Sequence, residues 1–260
     1  MYNYQQSNRY FAQIADDLKE PGAEELAELG AREIKPDYRG IYFTADKAAL
    51  YRINYCTRLI SKILAPLVSF ACSSTGMLYE KAKTIPWTDF LSVKQTFAVF
   101  GNVSDSNITH SQYASLCLKD AVADFFREKQ GKRPDVDTKN PRAWINLYIR
   151  KNRATISIDV SGGSLHRRGY RENSVPAPMQ ETVAAAIIRY TKWDGTLPIY
   201  DPMCGSGTLL SEALMNYCQI PAGILRSDFG FQALPDFEKS IWETVKESAD
   251  KKIRALPEGL

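Results

Sequence analysis

This 260-residue sequence predicts an α/β fold: two α+β modules followed by the opening of a doubly wound domain. Three observations carry that expectation. Residues 9–72 read as β-α-β-β-α-β, residues 111–160 join a long amphipathic helix to a β-hairpin, and residues 197–217 run strand, glycine turn, helix.

Taken in order, Arg9 to Ala15 has strand character, Glu24 to Ala31 is a short helix ended around Gly30, and Gly40 to Thr44 is a strand. Asp46 caps a helix with Leu50, Ile53 and Tyr55 near helical spacing, and Leu59 to Cys72 is a β-branched and apolar strand with a bulge or bend at Pro66. The order suggests a small ferredoxin-like sandwich. In the second module, Leu78 to Ile85 is helical and Gln95 to Val103 alternates like a strand. A long helix begins near Ser111, with Ala114, Leu118, Ala121, Val122 and Phe125 on its core face. The hairpin follows: Ile145, Leu147 and Ile149 alternate, Lys151-Asn152 turns, and Ala154, Ile156, Ile158 and Val160 resume the period of two. Ser161 to Ser164 reads as a flexible break, and Pro176 with Pro178 as a second stop before a helix over Met179 to Tyr190. Leu197 to Tyr200 reads as a short buried strand, Asp201 to Gly207 as a tight turn and Thr208 to Tyr217 as a helix. Asp236 is the expected cap of a last helix striped with Phe237, Ile241, Trp242, Val245, Ala249 and Ile253.

Composition narrows the function classes. Five widely spaced cysteines without a CxxC pair suggest neither a disulfide framework nor a zinc cluster, so a reducing cytoplasm and no metal are expected. The longest apolar stretch, Ile63 to Cys72, is about half of the roughly 20 residues needed to span a bilayer and is interrupted by Pro66 and Ser69, so no membrane partner is expected. The formal charge of +3 conceals an asymmetry. Residues 127–171 hold 12 Lys/Arg against 4 Asp/Glu, while the rest holds 21 against 26. A local excess of +8 beside a net −5 is what a phosphate-facing surface requires, although a merely solvated basic face gives the same count. Arg150, Lys151 and Arg153 cluster at the hairpin tip.

The motif with most chemistry is Asp201-Pro202-Met203-Cys204-Gly205-Ser206-Gly207-Thr208. Glycines at a strand–helix junction let the backbone pass close to a ligand beside the free N–H groups of the helix. A dinucleotide fingerprint wants a third small residue three places after the second glycine, and Leu210 stands there. The acid ahead of the turn also disfavours a pyrophosphate and suits the cationic amino end of a methionine moiety. Taken alone, the turn reads better as an ordinary tight turn than as a ligand loop.

Three blocks in order resemble a known family: Ser164-Leu165-His166-Arg167-Arg168-Gly169-Tyr170-Arg171, then Ala177-Pro178-Met179-Gln180-Glu181-Thr182-Val183-Ala184-Ala185-Ala186, then Asp201 to Leu210. The chain resembles the THUMP-containing guanine-N2 methyltransferases of bacterial large-subunit ribosomal RNA. That resemblance implies a ferredoxin-like domain over 1–64, a THUMP RNA-binding domain over 65–160, a linker and pre-motif over 161–178, and over 179–260 an incomplete Rossmann-like class I methyltransferase domain. It implies S-adenosyl-L-methionine as cofactor and methyl transfer to the exocyclic amine of a guanine. The loop Asp201 to Thr208 would hold the cofactor, with Met179 and Thr182 beside its methionine end or else in core packing. Arg167, Arg168 and Arg171 would join Arg150, Lys151 and Arg153 on RNA phosphates, or tie the linker to acidic surface; His166 reads as a polar linker residue. The RNA partner would be ribosomal, with transfer RNA as the alternative.

The family also uses an acid-ended second strand and an Asn/Asp-Pro-Pro-Tyr-like loop that receives the flipped guanine. No such tetrapeptide occurs in the 260 residues. The expectation is therefore a chain truncated within its catalytic domain, with no catalytic residue of its own, inactive by itself, and with a strand edge and the stripe from Phe237 to Ile253 exposed. Rival readings are an RNA-binding module without catalysis, a nucleotide-dependent oxidoreductase and an adenine-N6 DNA methyltransferase.

Overall fold

A computed structural model describes residues 1–172 and 177–256, so Pro176 lies outside the described residues. In chain order the elements are α1 (Asn3–Ser7), β1 (Arg9–Gln13), α2 (Lys19–Glu28), β2 (Arg32–Asp37), β3 (Gly40–Thr44), α3 (Lys47–Cys56), β4 (Lys62–Ala71) and α4 (Thr75–Lys83). They continue with β5 (Thr96–Ser104), α5 (Ser111–Gln130), β6 (Asp135–Val136), β7 (Ala143–Arg150), β8 (Arg153–Asp159), α6 (Glu181–Thr191), α7 (Thr208–Tyr217) and α8 (Lys239–Asp250). The chain divides into two compact units. The first comprises residues 1–11, 64–163 and 228–237, the second residues 12–63, 164–227 and 238–260.

In the first unit the strands run β4-β8-β7-β5-β6. The β4/β8 and β8/β7 pairs are antiparallel, and β7/β5 and β5/β6 are parallel. Alternation dictates the hairpin: Ile145, Leu147, Ile149, Ala154, Ile156 and Ile158 are all buried, as are Ala114, Leu118, Ala121, Val122 and Phe125 of α5. Lys151 and Asn152 both adopt positive φ, at 49° and 57°, the primed turn whose twist matches a two-residue hairpin. The Asn152 carboxamide oxygen accepts bonds from Ser106 Oγ (2.9 Å) and the Asn107 amide (2.8 Å). The ladder of β4 slips between Pro66 and Val68, at the proline that cannot donate to it.

Two expectations are corrected in this unit. Ser161 to Gly163 is no flexible break, since Ser161 is fully buried and Val160 O accepts a bond from Phe231 N at 2.8 Å. The reason is a backbone crossing: a Cβ on Gly230 would stand 2.0 Å from Asp159 O and 2.7 Å from Gly162 N, so glycine there serves close approach. Asp236 caps no helix; it accepts a 2.6 Å bond from the hydroxyl of buried Tyr4, and α8 starts three residues later.

In the second unit, Asp46 caps α3 as expected, accepting from Ala49 N at 2.8 Å. Antiparallel β2 and β3 form a hairpin. Strand β2 is the strand that the β-α-β-β-α-β order calls for but that no segment of the sequence marks, because Arg-Glu-Ile-Lys-Pro-Asp is almost wholly exposed and has no alternation to read. The stripe of α8 is covered: Trp242 sets its ring edge-on to Tyr55 (5.3 Å) and Tyr51 (6.5 Å) of α3, and Val245 is buried. Tyr55 donates to Asp250 at 2.6 Å and Lys47 pairs with Glu238 at 2.6 Å, fixing both ends of α8 on α3. Phe237 lies in the first unit, its ring 6.0 Å from that of Phe231. The expected buried strand Leu197 to Tyr200 is absent. Leu197 is 71% and Tyr200 84% exposed, and Leu197 O accepts from the Trp193 indole at 2.7 Å. A strand exists through its ladder, and among the described residues none pairs with this segment. No described helix is long and apolar enough to cross a membrane.

Candidate functional site

Helix α7 spans Thr208–Tyr217, as its apolar spacing predicts, and its N-cap is Gly207 at φ 71°. Gly205 is likewise left-handed at φ 51°. Cβ atoms there would meet nothing closer than Met203 O at 4.0 Å, so these glycines answer to the backbone conformation and to open space above the turn. The Asp201 carboxylate accepts from Met203 N at 3.0 Å and closes the turn. The N-cap Gly207 makes no side-chain bond to the first N–H groups of α7, the end of the helix that carries the positive pole of its dipole. Pro202, Met203, Cys204 and Gly205 are exposed, Ser206 half-buried and Thr208 buried, with Ser206 Oγ 3.2 Å from Thr208 Oγ1.

The arginines divide sharply. Arg171 points inward: its guanidinium donates to Met179 O and Thr208 Oγ1, both at 3.0 Å, and lies 3.4 Å from Glu181 Oε1. It thus ties the pre-motif and the first turn of α6, where Thr182 is buried, to the first residue of α7; Met179 keeps an exposed side chain. Arg168 is 1% exposed and cannot meet RNA from that position. Its Nε lies 3.3 Å from Glu212 Oε1, and its terminal nitrogens donate to Leu165 O (2.6 Å) and Arg58 O (2.5 Å). Arg167 is exposed. His166 Nδ1 lies 2.6 Å from Ser164 Oγ, and burial holds this imidazole below its ordinary pKa. In the first unit, Lys151 and Arg153 are exposed at the hairpin tip and Arg150 lies 3.7 Å from Asp105, so the tip keeps the cationic character read from sequence.

Sequence reasoning missed the ionic centre beneath α7. Fully buried Glu212 receives Arg168, the Tyr170 hydroxyl at 3.2 Å and Arg58 at 3.8 Å. Burial, reinforced by the Glu212 and Glu181 carboxylates, holds the Tyr170 hydroxyl protonated well above its usual range. The same burial draws the Arg58 pKa down, against the pull of Glu212, and the guanidinium stays charged. One signal was present: Glu212 shares the buried face of α7 with Thr208 and Ala213, a place where a carboxylate needs a cation.

Residues 9–64 match the RlmL ferredoxin-like domain, residues 72–159 the THUMP domain, and residues 168–258 the RMKL-like methyltransferase domain. The chain is 38% identical over 240 residues to slr0064 of Synechocystis sp., which bears an RNA methyltransferase name; the match covers 92% of this chain and 62% of that protein. It is 36% identical over 247 residues to the ribosomal RNA large subunit methyltransferase K/L of Vibrio campbellii, covering 95% of this chain and 35% of the relative. The chain therefore spans less than two thirds of either relative. Among solved structures it resembles the methyltransferase SMU.472, complexed with SAH, with TM-score 0.80 and 25% identity over 95% of this chain and 65% of that one.

Proposed function

We propose that this chain, whose residues match the RlmL ferredoxin-like, THUMP and RMKL-like methyltransferase domains in that order, binds S-adenosylmethionine at the Asp201–Thr208 loop and RNA at its basic hairpin, within a protein that methylates the N2 amine of a guanine in large-subunit ribosomal RNA. The domain division proposed with this reading is 1–64, 65–160, 161–178 and 179–260.

The observation that carries the reading is the pair of left-handed glycines at the foot of α7, open above and flanked by the Asp201 carboxylate. When bound, the cofactor supplies an electrophilic methyl group on a sulfonium centre. The chain's residues bind and orient it. Asp201 offers a negative partner to the methionine amino group, residues 205–208 let the backbone pass under the ligand, and Met179, whose carbonyl Arg171 links to Thr208, would stand beside the methionine end with Thr182 of the first turn of α6. The SAH complex of SMU.472 supports the cofactor, and the name of the Vibrio relative supports ribosomal RNA. Lys151, Arg153, Arg150 and Arg167 would hold phosphates, contacts that position an RNA without reading its bases. The residues that receive the guanine amine are expected in an Asn/Asp-Pro-Pro-Tyr-like loop, a motif not found in these 260 residues.

The test is methyl transfer from tritiated S-adenosylmethionine by the full-length protein, offered ribosomal RNA lacking the modification and, separately, transfer RNA, followed by digestion to nucleosides. N2-methylguanosine from ribosomal RNA is the expected product. Label in transfer RNA alone, or in N6-methyladenosine, would replace the proposed substrate. Calorimetry should show weaker cofactor binding for Asp201→Ala and Gly205→Val, and unchanged affinity in both would remove the assignment of the loop.

A further inference from the structure

The geometry points to Arg58, in the ferredoxin-like segment, as a positioning residue for the cofactor loop 143 residues downstream; the inference rests on the reading of Asp201–Thr208 as the cofactor site. Its backbone is pinned first. Glu25, buried on α2, accepts bonds from Thr57 Oγ1 (2.6 Å), Arg58 N (2.8 Å) and Leu59 N (3.1 Å), so one carboxylate fixes the turn that carries Arg58. From that fixed point the guanidinium reaches α7 at two levels. One terminal nitrogen donates to Met215 O (2.9 Å) and Ile220 O (2.6 Å), at the last turn of the helix and just beyond it. The other stands 3.8 Å from Glu212 Oε2, in the second turn, an ion pair between two buried atoms that have no hydrogen-bond partner among the described residues.

Anchors at the second turn and at the C-terminal end leave α7 little freedom to slide or rotate. The first turn of α7, which adjoins the cofactor loop, is the other end of the same rigid rod. Arg168 closes the arrangement, donating to Arg58 O while its Nε faces Glu212. The consequence is functional: a displacement of about 1 Å at a binding or reacting centre reduces rates by as much as 10²-fold. The ferredoxin-like segment thus contributes to methyl transfer by holding the helix that presents the cofactor loop, without touching cofactor or RNA.

The experiment compares wild type, Arg58→Ala, Arg58→Lys, Asp201→Ala and Gly205→Val in the full-length protein. Affinity for S-adenosylmethionine and SAH is measured by calorimetry, steady-state kinetics with that cofactor varied are recorded, and RNA affinity is followed alongside. Arg58→Ala should weaken cofactor binding by about tenfold or more, seen as a raised KM for S-adenosylmethionine with a smaller change in kcat, and leave RNA affinity within about twofold. Arg58→Lys should lie between wild type and Arg58→Ala, because an ammonium can serve carbonyls but lacks the fork that also reaches Glu212. A folded Arg58→Ala protein with a lower melting temperature and unchanged cofactor affinity overturns the proposal and leaves Arg58 a purely structural residue. Should Arg58→Ala fail to fold, Arg58→Lys decides: a cofactor Kd raised about threefold or more supports the role, and an unchanged Kd overturns it. Loss of binding in Asp201→Ala with unchanged Arg58 variants sinks this inference alone, whereas unchanged binding in Asp201→Ala and Gly205→Val sinks the loop assignment beneath it.

Discussion

Replacing Arg168 by alanine should unfold the ground beneath α7, and its neighbour Arg167 supplies the control. Arg168 is 1% exposed and Glu212 0%, so neither charge has water to fall back on. Removing the guanidinium leaves Glu212 with only the Tyr170 hydroxyl at 3.2 Å and Arg58 at 3.8 Å. It also strips Leu165 O and Arg58 O of their donors. Breaking a buried ion pair by removing one partner costs about 3–5 kcal/mol. The two orphaned carbonyls add to the upper end of that range, since each lost buried partner is worth about 1–3 kcal/mol when nothing replaces it. Against a domain stability of about 5–15 kcal/mol, that is a large share. Arg167→Ala, on the surface, should change stability by no more than about 0.5 kcal/mol. Trp87 and Trp144 lie in the first unit and Trp193 and Trp242 in the second, so tryptophan fluorescence mixes the two. Amide exchange along α7 reads the second unit directly, and 3 kcal/mol corresponds to protection reduced about 150-fold. Exchange in α7 no faster than in Arg167→Ala would refute the claim that Glu212 depends on Arg168. RNA binding should order the two variants the other way: Arg167→Ala lowers the slope of log K against log salt by about 0.7–0.9, and Arg168→Ala leaves it unaltered where the protein remains folded.

Further outcomes follow from single contacts. Gly230→Ala should destabilise the first unit by several-fold more than Gly207→Ala does the second, because its Cβ would stand 2.0 Å from Asp159 O while that of Gly207 meets nothing within 4 Å and carries only the left-handed penalty of about 1 kcal/mol; equal melting shifts would contradict the crossing. Lys151→Gly should raise the stability of the hairpin by about 0.5–1 kcal/mol, since Lys151 sits at φ 49°, and should lower the RNA salt slope by about 0.7–0.9, so the two effects separate folding from phosphate contact. His166 is held below its unfolded pKa by burial, so between the two values the unfolded chain binds more protons. Stability should therefore fall as pH drops below the ordinary histidine range, and His166→Gln should flatten that fall in urea titrations taken from pH 7.5 to 5.5.

The placement of the candidate site followed from local signals wherever a local rule was sufficient. The α7 boundaries, the Asp46 cap, the Lys151-Asn152 turn and the core face of α5 each depend on residues within a turn or two of one another, and each is present. Where the signal was local but its use was not, the reading went astray. Asp236 has the composition of a cap yet bonds Tyr4, and Ser161-Gly162-Gly163-Ser164 has the composition of a linker yet meets Gly230 at backbone distance. Strand β2 gave no signal, having no buried face, and residues 197–200 gave a strand signal without a ladder to realise it.

Sequence by itself determined the α/β class, the basic hairpin and the glycine loop that opens α7, because backbone conformation and apolar periodicity are short-range properties. Tertiary structure alone decided which arginines face solvent. Arg167, Arg168 and Arg171 stand within five residues and look alike in sequence, but only Arg167 is exposed, while Arg168 faces Glu212 and Arg171 reaches Thr208 and Met179. A guanidinium goes where a buried carboxylate or carbonyl compensates its desolvation. Those partners come from residues 37 to 110 positions away, or from the other end of a linker, and no local pattern encodes them.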